Sequence, residues 1–236
     1  MSQASLPPFE PSRIRALLFD IDGTLSNSDD LMVEDVLALL RPFKALRNPE
    51  KIARDLVWWL EKPGNWLLAA LDRLGLDRIL AKLLDWRANL ASKDGLHSDE
   101  FPTIPDILPM LERLSGHYPM AVVSARNGVT THNFLRVNDL ERYFKVVIHS
   151  QSLRRTKPFP DPLLHAARVL GVGIDECLMI GDTVTDVRAA SSAGAYSLSV
   201  LCGFGQEGQL RRAGTHVVLP STADLANYLL DQKTSF

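Results

Sequence analysis

Leu17-Leu18-Phe19-Asp20-Ile21-Asp22-Gly23-Thr24-Leu25 decides how the rest of the chain is read. An apolar run stops at two carboxylates two residues apart and then at a Gly-Thr turn. The run predicts a short strand buried on both faces, as in a parallel sheet. In open α/β sheets, ligands collect beyond the carboxyl ends of the strands, which is where Asp20 falls. Asp22 shares its side-chain parity and points the same way if the backbone stays extended, while Gly23 permits a sharp turn. Two acids held close repel, so the pair suits a bound cation or a proton on one member. This is the chemistry of a carboxylate nucleophile beside a general acid, with Mg²⁺. The alternative is a strand end carrying two solvated turn aspartates.

Outward from this stretch the chain changes character twice. Residues 1–13 are a Pro-rich lead-in. From Asn27 to about Phe101, apolar residues recur at helical spacing (Leu31, Val36, Leu39, Leu40; Ile52, Leu56, Trp59, Leu60) with breaks at Pro42, Pro49, Pro63-Gly64 and Gly75. After Pro102, strands alternate with helices. Strands are predicted at Met120–Ser124, Lys145–Ile148, Cys177–Ile180, Tyr196–Val200 and Thr215–Leu219. Helices are predicted at Pro105–Ser115, Asn127–Arg136, Asp161–Leu170, Thr183–Ala193 and Gln206–Ala213, with a last one capped by Ser221 and running through Leu230. The alternation implies an α/β fold, a Rossmann-like parallel sheet sandwiched by helices. Residues 14–26 and 102–231 form this base, and residues 27–101 form an inserted all-helical cap.

Polar residues accumulate where the strands end. Ser124 closes the second strand, where its hydroxyl and the amides of Ala125 and Arg126 can meet a phosphate oxygen. Lys157 lies in a loop stiffened by Pro158, Pro160 and Pro162 and can neutralise a phosphoryl group together with a carboxylate. Gly181-Asp182-Thr183-Val184-Thr185-Asp186 puts Asp182 at a strand end and Asp186 one helical turn on. Each has a plainer explanation as turn, surface or helix-capping residue; their order along one sheet is what argues for a site.

In that order, Asp-x-Asp-Gly-Thr, strand-end Ser, Lys-Pro and Gly-Asp-Thr-x-x-Asp, the chain resembles the haloacid dehalogenase superfamily. It looks like the phosphatases with a helical cap after the first motif. Lys157-Pro158-Phe159-Pro160-Asp161-Pro162 and Cys177-Leu178-Met179-Ile180-Gly181-Asp182 are similar to phosphoglycolate-phosphatase-like members. The resemblance implies strand order 3-2-1-4-5 and a cap that opens and closes. It implies Asp20 as nucleophile and Asp22 as general acid/base. It implies Mg²⁺ held by the Asp20 carboxylate, the Asp22 carbonyl and Asp182, with Asp186 supporting the metal site from behind. Ser124 and Lys157 would bind the phosphoryl group. Asn27 stands where many relatives carry Asp, and Ala125-Arg126 where many carry Asn after the strand-end residue.

The function expected is Mg²⁺-dependent hydrolysis of a small phosphorylated metabolite, with phosphoglycolate the first candidate, through an aspartyl-phosphate. The alternatives are a phosphomutase, a dehalogenase or a non-catalytic phosphoester-binding protein. Ser26–Leu40 has no His, unlike the hexose mutases, and Asp22 argues against a dehalogenase. The 236 residues are 46% hydrophobic and 23% charged, with 26 basic and 28 acidic side chains and net charge -2. That balance shows no nucleic-acid footprint. Neither a signal pattern nor a membrane span stands out, and Cys177 and Cys202 lack ligand or redox spacing, so a cytoplasmic monomer or homodimer is expected. Trp58, Trp59, Trp66 and Trp86 are read as cap packing, and Arg41, Arg47 and Arg54 as exposed. His149 is the one histidine placed near a strand end, and Gly203-Phe204-Gly205 is read as a mobile loop by the site mouth.

Overall fold

Six short strands lie side by side in the order β3-β2-β1-β4-β5-β6, every pairing parallel. They are β1 (Ala16–Phe19), β2 (Met120–Val123), β3 (Phe144–Ile148), β4 (Cys177–Gly181), β5 (Tyr196–Val200) and β6 (Val217–Leu219). The computed structural model describes residues 9–27, 48, 52 and 102–231. The chain divides into two compact units, Met1–Asp29 with Phe101–Phe236, and Asp30–Glu100; the sheet and its helices belong to the first. The helices expected within 27–101 lie outside the described residues, apart from Asn27, Asn48 and Ile52. The same holds for the four tryptophans and for Arg41, Arg47 and Arg54.

The expected order 3-2-1-4-5 is present, with β6 added at the edge. Alternate side chains of each central strand enter separate cores. Leu17, Phe19, Met120, Val122, Leu178 and Ile180 pack on one face with α1 (Ile107–Ser115), α2 (Gly128–Val137) and α6 (Leu225–Asp231). Ala16, Leu18, Ala121, Val123, Cys177 and Met179 pack on the other with α3 (Asp161–Leu170) and α4 (Val184–Ala193). Burial on both faces is why these strands read as unbroken apolar runs rather than alternating ones. A last short helix, α5 (Glu207–Ala213), joins β5 to β6.

Helix boundaries follow local chemistry. The side chain of Asn127 accepts from the Thr130 amide and caps α2. Thr183 and Asp186 form a capping box on α4. Gly171 and Gly194 take left-handed conformations just past α3 and α4, the position where glycine ends a helix. The first base helix starts two residues later than its sequence suggests, because Asp106 is itself left-handed (φ 61°). The Ser221 capping box opens a short 3₁₀ turn, Thr222–Asp224, before α6.

Candidate active site

The carboxyl ends of β1, β2 and β4 deliver Asp20, Ser124 and Asp182, all buried. Lys157 reaches the same place from the loop after β3. Its ammonium stands 2.8 Å from Asp20 Oδ1 and 2.7 Å from Asp186 Oδ1. The other oxygen of Asp186 accepts from the Thr183 hydroxyl at 2.6 Å and the Thr183 amide at 3.1 Å. Thus the capping box that starts α4 also aims Asp186 at the lysine. Gly181 makes room for this, since a Cβ there would collide with the Asp186 carboxyl group.

Asp20, Asp182 and Asp186 each offer an oxygen within 4.8 Å of the others, a group that could hold a metal ion. Three buried carboxylates gather here, and the ammonium of Lys157 pairs with two of them, Asp20 and Asp186, so negative charge is in excess. All-oxygen donors with surplus negative charge fit a hard divalent cation. Burial pushes Asp20 up to about 7, against the pull of Lys157, with Asp186 and Asp22 adding to the rise. Burial alone would lower Lys157, but Asp186 and Asp20 outweigh it and hold the ammonium above its ordinary range.

The parity argument for Asp22 presumed an extended backbone, and β1 ends at Phe19. The amides of Thr24, Leu25 and Ser26 all turn back onto the Ile21 carbonyl, and Gly23 is left-handed (φ 66°). The Asp22 carboxylate meets Arg126. The Arg126 Nε donates to both oxygens, at 3.0 and 2.9 Å, and Nη2 donates to Oδ1. The Arg126 amide donates to Ser124 Oγ at 3.1 Å, while Ala125 is exposed.

Over residues 17–200 the sequence matches the family described as haloacid dehalogenase-like hydrolase. The chain belongs to this family. Among its curated relatives is a phosphoglycolate phosphatase of Neisseria meningitidis, 29% identical over 202 residues, covering 81% of this chain and 82% of that one. Another is the pyrophosphatase PpaX of Anoxybacillus flavithermus, also 29% identical, over 189 residues, covering 79% and 83%. A solved haloacid dehalogenase family hydrolase from Deinococcus radiodurans R1, with bound phosphate and sodium, superposes with a TM-score of 0.70 at 26% identity. That match covers 94% of this chain and 97% of the other.

Within this hydrolase fold several residues take positions that sequence reasoning missed. Gly203-Phe204-Gly205 is a brace on Asp182. The Phe204 amide donates to Asp182 Oδ2 at 3.1 Å. A Cβ on Gly203 would collide with that oxygen, and one on Gly205 would collide with the Asp182 carbonyl oxygen. The two glycines around an aromatic were the only signal. His149 is turned to local packing, its Nδ1 accepting from the Gln151 amide and its ring lying against Gly128. Among the described residues no helix is long and apolar enough to cross a membrane.

Proposed function

We propose that this hydrolase is a Mg²⁺-dependent phosphomonoesterase acting on a small phosphorylated metabolite through an aspartyl-phosphate on Asp20. The observation that carries the reading is a buried carboxylate at the end of β1 that shares Lys157 with Asp186 and has Asp182 beside it. Asp186 has both oxygens engaged by Lys157 and Thr183, and the cation is assigned to Asp20 and Asp182 together with the Asp22 carbonyl, the set that the family resemblance implies. Mg²⁺ bound there would offset the charge of the phosphoryl group as it meets the nucleophile.

The chain's own groups account for the rest. An oxygen of Asp20 attacks phosphorus while the ester P–O bond breaks. Lys157 neutralises both anions, and Ser124 with the Ala125 and Arg126 amides holds a non-reacting phosphoryl oxygen. Asp22 gives a proton to the departing alkoxide, then takes one from the water that attacks the aspartyl-phosphate, which restores Asp20 and frees orthophosphate. Residues 27–101 are the substrate-selecting module. Phosphoglycolate is the first candidate substrate, in keeping with the names of the relatives. Phosphoglycolate and pyrophosphate share a feature: the leaving group carries its own negative charge.

The test is phosphate release from a panel of small phosphoesters with Mg²⁺, beside an Asp20→Asn control. Turnover by the native chain and a loss of about 10³-fold or more in the control is the expected result. Equal turnover by both proteins would overturn the covalent route.

A further inference from the structure

We propose that the Arg126 side chain selects phosphoesters whose leaving group bears a negative charge, by exchanging Asp22 for that charge. This rests on the phosphatase reading and adds the class of leaving group. Arg126 is placed between the two halves of the reaction. Its amide donates to Ser124 Oγ, on the phosphoryl side, and its guanidinium forks onto Asp22, on the leaving-group side. The fork takes both Asp22 oxygens, so a proton that Asp22 carries to the leaving group competes with the guanidinium for them.

The two partners are unequal in burial: the Arg126 side chain is 11% exposed and the Asp22 side chain 44%. An exposed carboxylate gives up a partner cheaply, because water replaces it. A buried guanidinium does not, so its release from Asp22 requires another anion. The fork geometry fits a carboxylate or a phosphate two-pronged. Phe134 keeps the guanidinium in place during the exchange, its ring centroid lying 5.2 Å from the guanidinium carbon. Nη2 also reaches Ser26 Oγ at 3.4 Å. An uncharged leaving group offers nothing to exchange and leaves Asp22 latched.

The test compares phosphoglycolate with its carboxamide twin, phosphoglycolamide, which has nearly the same shape but no charge on the leaving group. In the native chain, kcat/KM favours the carboxylate by about tenfold to hundredfold, the range of a charge-assisted pair. Arg126→Gln should bring that preference to within about threefold, and Arg126→Lys should restore part of it. A fall of equal size on both esters, or an unchanged preference, overturns the proposal. Calorimetry in the Asp20→Asn background reads the same preference without turnover. If the native chain hydrolyses neither ester but the Asp20→Asn protein binds the carboxylate better with Arg126 than with Arg126→Gln, the selection stands and the phosphatase reading falls. Equal affinity for both esters, or binding of neither, overturns the selection.

Discussion

Two buried carboxylates, Asp20 and Asp186, end on the single ammonium of Lys157, which is only 3% exposed. Taking that ammonium away leaves like charges facing each other without solvent. Lys157→Met keeps the length of the side chain and removes the charge. It should cost about 3–5 kcal/mol of stability, as breaking a buried pair does, read from urea unfolding at neutral pH. A loss below about 1 kcal/mol would place the pair in the weak class of exposed bridges. Lys157 was legible as a site residue because prolines fence it into a short loop. Its second partner was legible only in part: Thr-x-x-Asp signals a capping box, but nothing local shows that the same Asp186 turns its other oxygen to a lysine 29 residues earlier.

Loops and edges set how the strand ends are presented. The Leu201–Gly205 segment after β5 crosses Asp182 closely enough that neither glycine tolerates a Cβ. In Gly203→Ala the side chain of Asp182 must move, and Mg²⁺ affinity measured by calorimetry should fall by about tenfold, as for other residues that orient a metal ligand. Far-UV circular dichroism should not change. Unaltered affinity would show that Asp182 is not held by this loop. At the β5–β6 edge, the Ser197 amide donates to His216 Nδ1 at 3.1 Å and the His216 ring meets Tyr196 edge-on at 5.1 Å. Burial holds His216 below its ordinary value of 6.5. Below pH 6.5 the unfolded chain therefore binds the proton more readily than the folded one. Stability from this contact is full above pH 6.5 and falls as pH drops toward the folded-state value. His216→Asn keeps an acceptor near Nδ1 and removes the titration, so it should lose less Tm between pH 7.5 and 5.5 than the native chain. Equal losses would assign the acid sensitivity elsewhere.

At the scale of the whole molecule, the long insertion leaves and rejoins the base at one place. The Asn27 amide donates to the Pro102 carbonyl at 2.8 Å, the Ile104 amide to the Leu25 carbonyl at 3.0 Å, and Ser26 and Thr103 form an antiparallel bridge. Two adjoining ends can be closed by a short Gly-Ser linker without distorting β1 or α1, because short closure costs little entropy. A chain lacking residues 27–101 should therefore fold and keep Asp20, Asp22, Lys157 and Asp182 in place. Its kcat/KM on the preferred natural phosphoester should drop by about 10²-fold or more, while a small activated aryl phosphate suffers less, since a better leaving group needs less orientation. A folded deletion that kept its discrimination among natural esters would remove the insertion from substrate selection.

The sequence by itself determined the α/β alternation, the parallel sheet and the positions of Asp20, Ser124, Lys157 and Asp182 near strand ends, because each of these is written in a contiguous run. Apolar stretches of strand length, the polar residues that follow β1, β2 and β4 and the glycines beyond the helices need no knowledge of distant neighbours. Only the tertiary structure decided which of these side chains meet. Asp22 faces Arg126 across 104 positions of chain, Lys157 divides itself between Asp20 and Asp186, and Gly203-Phe204-Gly205 closes on Asp182. The physical reason is that pairing of buried charges is settled by which loops the sheet order brings together, and no contiguous run of sequence records that.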